Sequence, residues 1–394
     1  MYLFAGEPTY FQAKFMQFNF NLYSSPLLFA FIQGWIYAGL FWLRAWRHGR
    51  WSDGLFGVLI AAFTFEIWEY MLGFAGIEIL WTTLEFFPRN FNLLIPALSW
   101  FYLKSQFNTH WKPRWRDLWH ALLFALYFAY HLLVFFQGPN FVVWWKTEVH
   151  FPWGIQYLEA ILSFTLTTLY FYRAYHLYRQ YQSWSPTQFS NPELLSFDWF
   201  RNFLLAYFLS NVIGWSMTLI DLWLNLDFWH DWWDELFNAG LIYYLSIAGY
   251  TQTQARQLVF EPSTQNTPNP EVAKTDKLSE TEMQHWQEQL TRLMEAEKMY
   301  LEPELALADL ARRLGTNSSV LSTVINRVFE KNFNDYVNTY RVEAVKSLMV
   351  DPAVAHLSLL GIGLESGFNS KATFNRAFKK VTGVSPREYL AQTL

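Results

Sequence analysis

Long apolar stretches recur along the first 252 residues of this 394-residue chain, and they constrain its fold more than any other feature. Each is close to the roughly 20 residues that a helix needs to cross about 30 Å of hydrocarbon. Only 16% of the residues are charged, whereas a soluble domain carries roughly 25%. The alternative, a large soluble protein with buried apolar helices, fits the regular spacing poorly. We therefore predict membrane spans at 25–46, 54–75, 91–108, 118–136, 153–175, 200–222 and 232–252.

Basic residues between these stretches predict the orientation of the chain. Ten Lys and Arg residues lie in the connections 44–50, 104–117 and 173–201, and three lie in the alternate connections and the amino-terminal segment. Cytoplasmic loops carry the excess of Lys and Arg. We therefore expect the protein to lie in a bacterial inner membrane, with its amino terminus outside and its carboxyl terminus in the cytoplasm. Seven crossings from an external start give the same result. The first 24 residues lack the pattern of a signal peptide, and none is predicted.

The composition changes after residue 252. The segment 253–278 is rich in Pro, Thr, Asn and Gln and poor in apolar residues, which predicts a flexible linker. A capping box from Ser279 to Glu282 then indicates the start of a helix and of a soluble domain over 279–394. The lipid bilayer is thus an expected partner of the residues before 252 only.

A weak internal repeat lies within the soluble domain. In the first copy Ala311 precedes Gly315 by four residues, and in the second Gly363 precedes Gly367 by four. Each copy predicts a short helix, a glycine turn and a second helix with one apolar face, which is the helix-turn-helix pattern. The stretch 333–351 between the copies predicts one long connecting helix. The predicted fold class is therefore all-α, a seven-helix transmembrane bundle followed by two helix-turn-helix units joined by a long helix.

Four sequence segments of this domain resemble those of AraC/XylS-type transcription regulators. They read "LADLARRLG", "LSTVINRVFEKNFNDYVNTYRVEAV", "GFNSKATFNRAFKK" and "TGVSPREYL". The residues before 252, including "IPALSWFYLKS", are similar to the seven-helix sensor-like domain of membrane-bound AraC-type regulators. One departure is Gly363, where the family usually has Ala, and we expect it to loosen its helix. The resemblance implies a DNA-binding transcription activator or repressor whose partner is double-stranded promoter DNA.

The second recognition helix is predicted over 370–380, with Asn369 as its N-cap and with Phe374 and Phe378 facing the core. The resemblance implies that its outward residues meet base edges or phosphates. Arg376 suits guanine and Asn375 suits adenine, and two lysines near the helix end suit phosphate. The bland alternative is a solvated helix face. The predicted DNA-contacting residues here are Ser370, Lys371, Thr373, Asn375, Arg376, Lys379 and Lys380, with Ala372 beside them.

The first recognition helix is predicted over 318–328, with Leu321 and Ile325 facing inward. Its outward side chains are short and nearly uncharged, so this helix is expected to recognise DNA weakly or through its shape. Arg327 is either a phosphate contact or a surface charge. The outward set is Ser319, Ser322, Thr323, Asn326 and Arg327. Two recognition helices about 34 Å apart would recognise one directional site per monomer, and a homodimer would specify tandem or inverted sites.

Carboxylates inside predicted spans are costly and therefore suggest function. They lie toward the outer ends of the spans, among several tryptophans, which predicts an outward pocket for a cationic or sugar-like ligand, extracytoplasmic or lipid-soluble. The alternative is a set of solvated or interhelix hydrogen-bonding carboxylates. The predicted ligand-sensing residues are Glu66, Glu69, Glu159, Asp221, Asp234 and Glu235. His131, His150 and His230 show no metal-ligand spacing, so we predict no metal and no cofactor.

A transporter or channel and an enzyme are the two alternative functional classes. A transporter or channel with a regulatory helix-turn-helix appendage would show broken helices and internal repeats in its membrane part. An enzyme would require a nucleophile elbow, an H-E-x-x-H helix or a phosphate-binding glycine loop, and none of these motifs occurs in the sequence. We therefore predict no catalytic residues and a regulator rather than an enzyme.

Overall fold

The computed structural model describes residues 18–192, 197–252, 260, 278–354 and 356–393. The chain divides into two compact units. The apolar unit comprises Met1–Tyr178 and Asp198–Glu261, and the carboxyl-terminal unit comprises Arg179–Phe197 and Pro262–Leu394. Residues 179–197, which the sequence places in a loop between spans, therefore belong to the same unit as the soluble domain. The predicted linker 253–278 lies almost entirely outside the described residues.

Helices make up nearly all of the regular structure described in the apolar unit. They are α1 Ser24–His48, α2 Trp51–Glu66, α3 Trp68–Phe74, α4 Ile95–Phe107, α5 Leu122–Phe135, α6 Pro139–Trp145, α7 Ile155–Gln188, α8 Phe197–Leu224 and α9 Trp232–Thr251. A 3₁₀ turn, Trp115–Ala121, leads into α5, and another, Phe228–Asp231, leads into α9. The last ten residues of α7 extend into the carboxyl-terminal unit.

Four helical stretches in the described part of the chain are long and apolar enough to cross a bilayer. They are Ser24–His48, Trp51–Phe74, Trp115–Phe135 and Asp198–Asp221. The predicted span 91–108 yields only the 13 residues of α4, because Pro96 lies in its first turn, where a missing N–H is tolerated. The helices α7 and α9 do not reach the same apolar character. The count of seven spans stays a prediction.

The interior of the apolar unit is formed chiefly by α1, α2, α3, α4 and α9. Leu27, Ala30, Ile67, Phe74 and Ile242 are all buried in one cluster. The helices α1 and α2 approach closely where Gly34 faces Thr64, because a Cβ at Gly34 would lie 2.0 Å from the threonine Oγ1. Small residues at such crossings are typical of helices that pack within lipid.

The outer surface of α5 and α8 is apolar rather than polar. On α5, Leu126 is 57% exposed and Leu133 is 68% exposed, and on α8 Leu219 is 66% exposed. In the apolar window of the stretch Trp115–Phe135 only 11% of the residues are buried. Exposed apolar areas of this extent are typical of surfaces that meet lipid or another protein.

The carboxyl-terminal unit contains seven further described helices. They are α10 Glu280–Glu295, α11 Leu307–Arg313, α12 Ser318–Val328, α13 Phe333–Met349, α14 Leu359–Glu365, α15 Lys371–Thr382 and α16 Pro386–Thr393. The predicted capping box is present, since the Ser279 hydroxyl accepts from the Glu282 amide and the glutamate accepts from the serine amide. The connecting helix is α13, close to its predicted bounds.

Two separate hydrophobic cores flank α13. The first half of α13 packs with α10, α11 and α12, and this core contains Leu290, Leu310, Leu321 and Ile325. The second half packs with α14 and α15 through Val342, Val345, Phe374 and Phe378. The pairs α11–α12 and α14–α15 are therefore two helix-turn-helix units on one connecting helix, as the repeat predicts. The all-α class is confirmed for the described residues.

Candidate nucleic-acid interface

The helix α15 presents one apolar and one basic face. Phe374, Ala377 and Phe378 are buried in the second core, which matches the inward positions predicted for this helix. The opposite face is exposed and carries Lys371, Ala372, Asn375, Arg376, Lys379 and Lys380. The helix contains no acidic residue, so its exposed face carries four positive charges. A face of this charge, with forked and amide donors at its centre, can contact phosphates and base edges.

The helix begins one residue later than predicted. Its N-cap is Ser370 rather than Asn369, because the Ser370 hydroxyl accepts a hydrogen bond from the Thr373 amide at 3.2 Å. Thr373 is only 2% exposed, and its hydroxyl lies 2.9 Å from that of Ser370. The structure therefore does not place Thr373 on the exposed face, and Ser370 acts as the helix cap.

The turn before α15 brings three chain segments into close contact. Gly367 has a φ of 91°, and a Cβ on it would lie 2.4 Å from the Tyr300 carbonyl oxygen and 3.1 Å from Arg341 Nε. Only glycine combines this left-handed backbone with so close an approach. Gly363 is buried under Phe374, whose ring atoms would lie 3.0 Å from a Cβ at that position. The Phe374 ring thus packs directly on the helix backbone at Gly363, and the expected loosening of this helix stays a prediction.

Lys380 is tied to the connecting helix. Its Nζ lies 2.6 and 2.8 Å from the two carboxylate oxygens of Asp335, while 64% of the Lys380 side chain stays exposed. This ion pair links α15 to the first turn of α13 and fixes the side of the helix from which Lys380 projects. Sequence reasoning missed Asp335, because the 45 residues between the two partners leave no local signal.

The helix α12 has the predicted bounds and the predicted inward residues, Leu321 and Ile325, but a weakly charged outer face. Its N-cap Asn317 accepts from the Val320 amide at 2.9 Å. Asn326 and Arg327 are exposed, while Ser319, Ser322 and Thr323 are half-buried. The Thr323 hydroxyl donates to the Ser319 carbonyl at 3.0 Å, and the Asn326 amide donates to the Ser322 hydroxyl at 3.4 Å. Several of these short side chains thus already form hydrogen bonds within the helix.

Comparison with known proteins supports the presence of a helix-turn-helix domain. The family model described as a helix-turn-helix domain matches residues 310–392. This range covers α12 to α15 and most of α11 and α16. The carboxyl-terminal unit therefore carries a helix-turn-helix domain.

Two relatives carry names consistent with that domain. The uncharacterised HTH-type transcriptional regulator YtdP of Bacillus subtilis (strain 168) is 32% identical over 91 residues, which is 23% of this chain and 11% of YtdP. An uncharacterised HTH-type transcriptional regulator of Staphylococcus aureus (strain COL) is 29% identical over 92 residues, 23% of this chain and 12% of that protein. The similarity thus spans only about a ninth of the relatives' length. No solved structure matches the chain.

The carboxylates predicted to sense a ligand are dispersed among several partners in the apolar unit. Glu69 accepts two hydrogen bonds from the Arg89 guanidinium at 2.6 and 2.7 Å, which forms a bidentate ion pair. Glu66 accepts from the Phe91 amide, and Glu159 lies 3.2 Å from His131 Nε2. The sequence signal for these carboxylates did not reveal Arg89 as a partner. Glu159 with His131 matches the interhelix hydrogen-bonding alternative, whereas Glu66 and Glu69 bind the non-helical segment between α3 and α4. The ligand-sensing role of the three carboxylates stays a prediction.

A second acidic group lies at the start of α9. Asp231 has its pKa raised to about 6, first by burial and then by the negative charges of Asp221 and Asp234. Glu235, one turn further along, is only 6% exposed. Asp221 and Asp234 therefore lie close enough to act electrostatically on Asp231, a residue that the sequence analysis had not singled out. The ligand-sensing role of these carboxylates stays a prediction.

Of the three histidines considered as metal ligands, His131 and His150 are neighbours, and His230 belongs to a different turn. The rings of His131 and His150 have centroids 6.4 Å apart, and Tyr130 donates to or accepts from His150 Nδ1 at 3.0 Å. His230 is instead hydrogen-bonded to Asp227 at 2.6 Å, within the turn that precedes α9. Hydrogen bonding accounts for each of these rings.

Proposed function

We propose that this protein is a membrane-anchored, sequence-specific DNA-binding transcription regulator. The observation that carries the proposal is the exposed face of α15, which carries Lys371, Asn375, Arg376 and Lys379 on the second helix of a matched helix-turn-helix domain. A second helix with exposed donors is the element that such domains insert into the major groove. The relatives' names as transcriptional regulators agree with this role.

In this proposal, the two helix-turn-helix units have different tasks. The second unit supplies positive charge and hydrogen-bond donors for base edges. The outer face of α12 has small side chains, several of which form hydrogen bonds within the helix, and Arg327 lies at its end. Specificity is therefore expected to concentrate in the half-site that α15 contacts. The half-site of α12 contributes mainly through backbone contacts and DNA shape.

Anchoring in the bacterial inner membrane, with the amino terminus outside, completes the proposal. It is supported by four long apolar helical stretches and by their exposed apolar faces. The proposed ligand-sensing role of the apolar unit is assigned to Asp221, near the end of α8, and to Asp231 and Asp234, at the start of α9, because carboxylates suit a cationic ligand. Asp221→Asn with Asp234→Asn should change the ligand response of a reporter gene at constant protein level.

The DNA-binding role is tested by genome-wide crosslinking of the full chain. Arg376→Ala should remove most of the enriched sites, because a bidentate contact to guanine contributes about 1–3 kcal/mol of discrimination. Arg292→Ala is the matched control, since Arg292 is an exposed arginine on α10, outside both recognition helices. Binding sites that are unchanged by Arg376→Ala would contradict the assignment of α15 as the reading helix.

A further inference from the structure

Residues 179–191 pack on the DNA-binding domain rather than projecting from it. We refer to them as the docking segment, and they comprise the last ten residues of α7 and the three that follow. Phe189 forms an antiparallel bridge with Ala306, beside α11. The amide of Ser190 donates to the Leu305 carbonyl at 3.0 Å, and its carbonyl accepts from the Asn334 side chain at 2.6 Å. Both backbone polar groups of this serine are thus satisfied by the domain.

The side chain of Ser190 reaches a fully buried arginine. Arg341 on α13 has 0% exposure, and its Nη2 donates to the Ser190 hydroxyl at 3.2 Å and to the Glu302 carbonyl at 2.7 Å. Its Nε donates to the Tyr300 carbonyl at 2.8 Å. A buried guanidinium needs such acceptors, because an unsatisfied buried charge is costly. The docking segment therefore supplies one of the acceptors that make this burial tolerable.

Arg341 also lies at the junction of the two helix-turn-helix units. Its guanidinium carbon is 5.8 Å from the centre of the Phe368 ring, which follows the tight turn at Gly367. The acceptors Tyr300 and Glu302 precede α11 of the first unit, and Arg341 itself belongs to the connecting helix. The Arg341 side chain thus joins three parts of the domain. They are the segment before the first helix-turn-helix unit, the connecting helix α13 and the turn of the second helix-turn-helix unit.

We propose that the docking segment is an intramolecular ligand of the DNA-binding domain and that its docked state is the DNA-binding state. This inference rests on the proposed function and adds a route for its regulation. Docking completes the hydrogen bonds of Arg341 and so fixes the two recognition helices relative to each other, as binding two successive major-groove faces requires. Release of the segment leaves Arg341 and Asn334 each without one acceptor and loosens that junction.

The position of the segment in the chain gives this contact its regulatory role. The docking segment is continuous with α7, whose first 24 residues belong to the apolar unit, and α8 begins a few residues after it. A ligand that shifts α7 would therefore act on Ser190 directly, without any signal through 253–278.

A cysteine cross-link provides the first test, because the chain has no native cysteine. Phe189→Cys with Ala306→Cys places two thiols at an antiparallel pair without mutual hydrogen bonds, where the Cα atoms lie about 4.5 Å apart, within the range that a disulfide bridges. The full chain is purified in lipid nanodiscs, and its affinity is measured for a promoter fragment recovered by the crosslinking experiment. The oxidised form is expected to bind that DNA at least as tightly as the same protein after reduction.

Ser190→Ala provides the second test. Losing one hydrogen bond to a charged group should weaken DNA binding about tenfold. Ser183→Ala is the matched control, because the Ser183 hydroxyl is exposed and donates only within its own helix, to Gln180. Its affinity should equal that of the unaltered chain.

The outcomes separate this inference from the proposed function. Failure of the cysteines to cross-link, loss of DNA binding on oxidation, or equal affinities for Ser190→Ala and Ser183→Ala would each overturn the inference. If Ser190→Ala failed to fold, the comparison of oxidised and reduced states of the cysteine variant would still decide. No DNA binding by the unaltered chain would instead contradict the proposed function.

Discussion

Gly367 concentrates more structural constraint than any other glycine in the DNA-binding domain. Gly367→Ala should lower the local stability of α14–α16 by about 3 kcal/mol, because a left-handed conformation and a backbone clash combine there. The measurement is hydrogen–deuterium exchange of these helices in the purified full chain. Gly383→Ala is the control, since Gly383 has a φ of 85° but nothing within 4 Å of its Cβ position. It should cost about 1 kcal/mol, from conformation alone.

Two glycines in α14 allow packing to be separated from helix propensity. A Cβ at Gly361 meets its nearest atoms at 3.5 Å, whereas one at Gly363 meets the Phe374 ring at 3.0 Å. Gly361→Ala should stabilise α14 by up to about 1 kcal/mol through propensity, and Gly363→Ala should destabilise it by about 1 kcal/mol because the buried ring must shift. Hydrogen exchange of α14 reports both. Stabilisation by Gly363→Ala would show that Phe374 has room to move.

Individual side chains are the level at which the sequence was least informative. Helical periodicity placed Phe374 and Phe378 inside correctly, because the apolar spacing i, i+4 defines one face of a helix. It could not show that Thr373 is buried, since threonine is compatible with either environment. Neither Asp335 nor Arg341 was identified, because Lys380 is 45 residues from Asp335, and the backbone carbonyls that Arg341 binds are 39 and 41 residues from it.

Within α15, two adjacent lysines should contribute unequally to DNA binding. Lys379 is exposed, while Lys380 must leave or share its ion pair with Asp335 to neutralise a phosphate. Lys379→Ala should reduce the slope of log affinity against log salt by about 1, and Lys380→Ala should reduce it by less. The slope is measured by titrating a promoter fragment at several salt concentrations. Equal reductions would show that the ion pair opens on binding.

At the level of secondary structure, the sequence predicted the DNA-binding domain better than the apolar unit. Caps and glycine turns delimit its helices, so α12 and α13 were located within about two residues. In the apolar unit, the hydropathy pattern indicates how long and how apolar a stretch is, but it does not show at which residue a helix ends. The break at Ile67 between α2 and α3 and the short α4 therefore escaped prediction. Proline in the first turn of α4 was the one local signal available.

The molecule as a whole combines an apolar unit with a domain built for contact with a polyanion. Residues 305–394 contain 11 Lys and Arg against 7 Asp and Glu, and the large exposed apolar side chains are concentrated before residue 252. This segregation was evident from composition, because hydropathy and charge are additive along the chain. The grouping of 179–197 with the soluble domain was not, since it involves residues far apart in the sequence, such as Phe189 with Ala306 and Ser190 with Arg341.

Single cysteines in the naturally cysteine-free chain can test the orientation of the whole molecule. His110 and Asn140 are both exposed and lie in consecutive predicted connections, on opposite sides of the predicted span 118–136. A maleimide that cannot cross membranes should label Asn140→Cys in intact cells but label His110→Cys only after lysis. The reason is that Lys112, Arg114 and Arg116 hold the connection of His110 on the cytoplasmic side. Labelling of both cysteines in intact cells would show that no membrane separates residues 110 and 140. That result would contradict the predicted topology and the anchoring of the DNA-binding domain on the cytoplasmic side.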